Sequence, residues 1–215
     1  MRLAAVLLLC PTAGRLLAQE SLETKLVVEQ SGQEIGREEF TLVKLGQGPV
    51  SSRLKAAASY PADHPTVKLA ATLERTAEGA LAKFQLDVDG ANGTTVILAA
   101  GSGARLIIRT VAKGSEAGRE LPGGPDIVLL DDQVFSLYCA VADQATPGGK
   151  ALTAVFPRTN RRASFVARRE SGGDGGNIRV TLAGGVSGTL VTDAQGRLFR
   201  LELPETGTVV SRAKD

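Results

Sequence analysis

The chain has no tryptophan, one methionine, one histidine and two cysteines, and only 4% of it is aromatic. Each shortage excludes something. Zinc sites draw on several His or Cys ligands, and His64 and Cys139 supply one of each once the N-terminal segment is set aside. Asp131-Asp132 and Asp87-Val88-Asp89 offer oxygen ligands but lack the D-x-D-x-D-G spacing of a calcium loop. Gly172-Gly173-Asp174-Gly175-Gly176-Asn177 has the flavour of a calcium-binding nonapeptide, yet occurs once where stacked copies are required. It reads as a flexible hairpin loop. No G-x-S-x-G is present, and His64 sits in the turn Pro61 to Pro65, where adjacent Asp63 is badly placed to orient it as a base. Gly101-Ser102-Gly103 is followed by a strand and by no Lys-Ser or Lys-Thr pair, so it is not a phosphate loop. The dearth of aromatics also argues against a large aromatic-lined pocket. No catalytic residue, metal or cofactor is assigned, and the chain reads as non-enzymatic.

What is present begins at the N-terminus. Arg2 gives a short positive region, Leu3 to Cys10 is apolar, and Leu16-Leu17-Ala18 ends in a small residue. That is the layout of a secretory signal over residues 1–18, cleaved after Ala18. The apolar run falls well short of the roughly 20 residues that span a bilayer, so no transmembrane segment is expected after cleavage. Removing residues 1–18 takes away Arg2 and Arg15 but no acid, leaving 23 basic and 23 acidic residues. A chain without net charge has little to steer it to nucleic acid, which is not expected as a partner. Residues 19–215 suit a single β-rich domain in the periplasm or outside the cell. Cys10 departs with the signal, and Cys139 is left either buried or available for intermolecular pairing, with burial favoured.

The rest is written in strands and turns. Leu22 to Gln30 alternates, Ser31-Gly32-Gln33 turns, and Glu34 to Leu45 returns, interrupted at Gly36 as by a bulge or bend. Val67 to Arg75 sets Val67, Leu69, Ala71 and Leu73 against Lys68, Ala70, Thr72 and Glu74, one face dry and the other mostly wet. Asn92-Gly93 marks a hairpin. Gly114 to Pro125 reads as a long Gly/Pro-rich connection. Strands then recur to the C-terminus, the last over Thr208 to Arg212. The expected fold is mainly all-β: an extended, curved antiparallel sheet, half-barrel or barrel-like meander.

One segment has another period. In Asp131 to Ala145, Val134, Leu137, Tyr138, Val141 and Ala145 fall on one helical stripe, with Asp131 or Asp132 as N-cap and Thr146-Pro147-Gly148-Gly149 as stop. The spacing predicts one amphipathic helix of about three turns, plugging a barrel end or lying across the concave face. Cys139 lies beside that stripe and reads as a packed thiol.

Some of these pieces resemble known sequences. Lys25 to Val28, then Ser31-Gly32-Gln33-Glu34-Ile35-Gly36 and Phe40, resemble the G-x-x-x-G first hairpin of bacterial exported families labelled as domains of unknown function. The leucine-rich segment Pro125 to Tyr138 agrees with them. So does the end of the chain, where Asp193-Ala194-Gln195-Gly196-Arg197-Leu198 precedes Pro204, Gly207 and Arg212. The resemblance implies a curved sheet embracing a helix. In outline it is similar to periplasmic lipoprotein-localisation carriers, which hold acyl chains in such a sheet.

One charge feature remains. Arg158, Arg161, Arg162, Arg168 and Arg169 crowd into a strand and the turn before it. Arginine suits bidentate capture of phosphate or carboxylate, so an anionic headgroup or polysaccharide is one reading. The favoured reading is charge guarding an edge strand against aggregation. Two functions follow. The first is a binding protein for a lipid or other amphipathic ligand in the curved sheet, with Arg158, Arg161, Arg162, Arg168, Tyr138 and Phe135 as ligand contacts. The second is an accessory envelope protein with a filled core, acting on a protein partner through surface contacts.

Overall fold

The turn chemistry works as a hairpin meander requires. The structure is a computed structural model that describes residues 22–46, 48–170 and 176–214; the proposed signal with Cys10, and Gly172 to Gly175, lie outside the described residues. At the first turn Ser31 and Gly32 both take positive φ (52° and 81°), the conformation of the tightest two-residue hairpin loops. β1 (Thr24–Gln30) and β2 (Gln33–Lys44) flank it. Next to Gly36 the register shifts between Val28 and Glu29, which is the expected bulge. β3 (Ser52–Tyr60), β4 (Val67–Arg75), β5 (Leu81–Gly90), β6 (Gly93–Ser102) and β7 (Arg105–Ala112) continue by hairpins.

Gly114 to Pro125 is not a connection. Ser115–Pro122 forms β8, paired along its length with β7. It is an outermost strand, where Gly118 and Pro122 are tolerated because one side of the backbone has no ladder to complete. Then follow β9 (Ile127–Leu129), a 3-10 turn (Phe135–Tyr138) running into α1 (Cys139–Gln144), and β10 (Lys150–Phe156). β11 (Arg161–Arg169), β12 (Ile178–Gly184), β13 (Gly188–Thr192), β14 (Leu198–Leu203), a 3-10 turn (Pro204–Thr206) and β15 (Thr208–Arg212) complete the chain.

All fifteen described strands form one sheet, β8-β7-β6-β5-β4-β3-β2-β1-β15-β14-β13-β12-β11-β10-β9. Two meandering arms are thus sewn together by β1 and β15, and the sheet is curved but unclosed. The expectation of a mainly β, curved sheet holds, with one parallel pair, β9 and β10. That pair explains the helix. Parallel neighbours need a crossover of a dozen or more residues, and the helical segment is that crossover.

The free edges β8 and β9 are adjacent in sequence but do not hydrogen-bond. Around β9 and β10, residues on both faces are buried: Val128 and Ala154 on one, Leu129 and Val155 on the other. A sheet with one wet face cannot produce that pattern. This edge is tucked under the other arm, so the sheet overlaps like a roll. Arg119 of β8 spans the overlap, donating to the Pro157 carbonyl (3.0 Å) and the Asn160 side chain.

The helix is shorter than the stripe suggested, and it is not amphipathic. Residues 131–134 are outside it, and Asp131 forms a local turn by accepting the Gln133 N–H (2.8 Å). Every stripe residue is buried, but so are Phe135, Ser136, Cys139, Ala140 and Ala142. A helical segment buried at every position but Asp143 belongs inside the protein, and here it fills the concave side of the sheet.

Candidate functional site

A ten-residue helical stretch has unsatisfied N–H groups at one end and carbonyls at the other. Neither helical piece here has a side-chain cap of its own. The sheet supplies both. Glu38 of β2, 1% exposed, accepts the N–H of Phe135 at 2.7 Å and of Ser136 at 3.0 Å. At the far end Arg169 of β11 donates to the Ala142 carbonyl (3.3 Å), while Arg75 of β4 donates to the Ala140 carbonyl (3.0 Å) in the first turn of α1. Acid at the start and base at the end also suit the helix dipole. Burial is the main influence on Glu38 and pushes its carboxyl up to about 7, against the hydrogen bonds from Ser136 and Phe135. Burial lowers Arg75 from the usual arginine value, with Asp143 opposing.

The lead-in to the helix is held the same way. Tyr60 donates its hydroxyl to the Gln133 carbonyl (2.9 Å), and its ring lies where a Cβ at position 36 would stand. Gly36 therefore stands beside the bulge and is the seat for Tyr60. Arg158 grips buried Asp131 through two bonds of 2.9 Å. Arg161 pairs with Asp132 (2.8 Å) and lies 3.5 Å above the Phe156 ring.

The arginine cluster is thereby divided. Arg158, Arg161 and Arg169 hold the helical segment and its approach, while Arg162 and Arg168 are exposed on the opposite, outer face of β11. β11 lies between β10 and β12, so the edge-strand guard reading fails: there is no free edge there to guard. Phe135 and Tyr138, each 3% exposed, are packed in the protein's own core rather than lining an open face. Cys139 is buried as expected, its thiol pushed up to about 12 by burial, far from the thiolate that nucleophilic chemistry needs. His64 is exposed in the β3–β4 turn. Among the described residues no three His, Cys, Asp or Glu side chains converge as a metal-binding group.

Sequence reasoning missed Glu38 and Arg75, and parity held the signal. Glu38 shares a strand face with Gly36 and Phe40, and Arg75 shares one with Ala71 and Leu73, all facing inward. The tail motif also acquires a cause. Asp193 accepts the N–H groups of Gln195 (3.0 Å) and Arg197 (2.9 Å), and its second oxygen takes Arg197 (2.8 Å) and Arg212 (3.0 Å).

Open space lies elsewhere. A shallow cleft of about 570 Å³ crosses the outer face over Ala57, Ser59 and Ala70, walled by Glu39, Lys68 and Asp87. A second, of about 440 Å³, opens at one end of the roll, where the β4–β5 and β6–β7 turns meet the link from β8 to β9. Beside the helix, between Leu54, Arg75 and Cys139, the free space is about 20 Å³.

No family model matches the chain, and no curated protein matches it. Among solved structures it is similar to one described as a DUF1089 family protein from Pseudomonas aeruginosa. Sequence identity there is 14% and the TM-score 0.49, over 79% of this chain and 90% of that one.

Proposed function

We propose that this is an exported, non-enzymatic protein that works through its outer surface and end clefts, not by carrying cargo inside the curved sheet. The observation behind this reading is the filling of the concave side by Phe135 to Gln144, capped at its ends by the sheet's own Glu38 and Arg169 and held between them by Arg75. A carrier of acyl chains needs that space, and the gap between Leu54, Arg75 and Cys139 beside the helix would hold about one water molecule. Export is supported by the layout of Arg2, the apolar run to Cys10, and Ala18. An accessory role in the envelope, with a protein or amphipathic partner, fits both observations.

Two measurements test it. Hydrogen exchange should place amides of residues 135–144 among the slowest, unchanged when a lipid or detergent monomer is added. Fast exchange there, or a change on adding the amphiphile, would restore the interior carrier. Fractionation with N-terminal sequencing should find the protein outside the cytoplasm, starting at Gln19. An intact N-terminus in the cytoplasm would refute export.

A further inference from the structure

The cleft at the end of the roll combines an apolar floor, close backbone walls and a charged rim. Its floor is apolar: Leu81 and Leu106, both buried, with half-buried Ile127 from the tucked edge strand. Close backbone approach builds its sides. A Cβ at Gly101 would collide with the Leu81 carbonyl, and one at Gly123 with the Arg105 backbone. Gly103 and Gly124 line it too, and a Cβ at either would meet nothing within 4 Å, so their lack of side chains leaves the opening clear. At about 440 Å³ it lies within the range of small-molecule sites, roughly 300–1,000 Å³.

Its charged lining consists of one group of each sign, from different elements. Glu78 comes from the β4–β5 turn and Arg105 from the start of β7. Among the described residues Arg105 has one acidic partner, Glu120 at 3.5 Å, and both side chains are more than half exposed, so this pair holds it weakly. An apolar floor beneath one acid and one base matches a molecule with an aliphatic chain and a headgroup of both charges.

We infer that the end cleft formed by Leu81, Leu106 and Ile127, with Glu78 and Arg105 at its rim, binds a single-chain zwitterionic amphiphile. The inference rests on the reading that the interior is sealed and function lies at the surface. The chain of the ligand covers the three apolar residues, while its anionic and cationic groups face Arg105 and Glu78. A singly charged amphiphile would meet a like charge at the rim and gain only one attraction.

The test titrates the protein with dodecylphosphocholine, dodecanoate and dodecyltrimethylammonium, each below its critical micelle concentration. Amide chemical shifts report position and affinity. Dodecylphosphocholine should bind at least fivefold more tightly than either singly charged probe, with shifts confined to residues 76–81, 101–106 and 123–127. Ala80→Trp, which fills the cleft from its wall, should weaken binding at least tenfold. Arg105→Gln should abolish the preference for the zwitterion over the ammonium probe. Failure of all three probes to bind, or shifts on another surface, would overturn the site and leave the sealed interior standing. Shifts at residues 135–144 would overturn both. Should Ala80→Trp fail to fold, the shift map of the unaltered chain decides alone.

Discussion

The carboxylate of Glu38 and the main-chain N–H of Phe135 stand 2.7 Å apart, although 97 residues separate them in the chain. This bond fixes where the crossover helix begins. It also places an acid at the centre of the protein with no cationic partner in contact among the described residues. Tyr60 and Asp131 are near enough to influence it, and Arg158 is committed to Asp131.

Stability should therefore fall as pH rises toward neutrality. The Glu38 carboxyl sits at about 7 in the folded protein against an ordinary 4.5. Between those values the folded state holds more protons than the unfolded, so the contribution is full below about 4.5 and is lost by about 7. At about 1.4 kcal/mol per pH unit, the loss is on the order of 3 kcal/mol. Denaturant unfolding from pH 4.5 to 8 measures it, and Glu38→Gln should flatten the slope over that window.

The arginines should separate into two classes. Arg158→Ala leaves Asp131, whose side chain is 1% exposed, charged and unpaired, and should cost about 3–5 kcal/mol. Arg162→Glu together with Arg168→Glu, both on the outer face, should change stability by no more than about 0.5 kcal/mol each. Thermal unfolding of the two variants compares them directly. Equal losses would contradict the division of the cluster between the helix and the outer face.

Gly36→Ala should destabilise the first sheet arm by about 1–3 kcal/mol, because its methyl group would occupy the place of the Tyr60 ring. The cost comes from that ring and not from the strand conformation. In Tyr60→Ala the same glycine substitution should be nearly silent, and a double-mutant cycle would read the difference.

Asp193 should respond to acid in the opposite sense to Glu38. Burial raises its pKa, but the Arg197 N–H and the guanidiniums of Arg212 and Arg197 outweigh it and hold the carboxyl below the ordinary aspartate value. Its contribution is present above that ordinary value of 3.8 and is lost as pH falls through the lower folded one. Arg212→Ala should raise the Asp193 pKa, followed by carboxyl carbon shifts, and loosen β15. Asp193→Ala, which leaves two main-chain N–H groups and two guanidiniums without their acceptor, should cost about 2–4 kcal/mol.

Much of the fold was legible because strands alternate with a period of two. Val67 to Arg75 and Thr208 to Arg212 coincide with β4 and β15. β8 escaped because its Gly118 and Pro122 look like loop, and only its position at an edge makes them tolerable. The helix was placed but overextended. Its apolar stripe was real, yet the segment is buried at every position but Asp143, so burial of the stripe says little about where the helix begins.

The sequence by itself determined most of the strands, the Ser31-Gly32 and Asn92-Gly93 hairpin turns, and that Cys139 and the helical stripe are buried. These follow from local backbone preference and from the exclusion of apolar side chains from water, both readable within a dozen residues. Only the tertiary structure decided that β1 meets β15, that the sheet overlaps without closing, and that Glu38 and Arg75 bind the main chain of a helix many residues away. It alone divided five neighbouring arginines between the helical crossover and the outer surface. Such pairings depend on how two arms of a sheet curl, and no local pattern encodes the partner of a charge that lies across a roll.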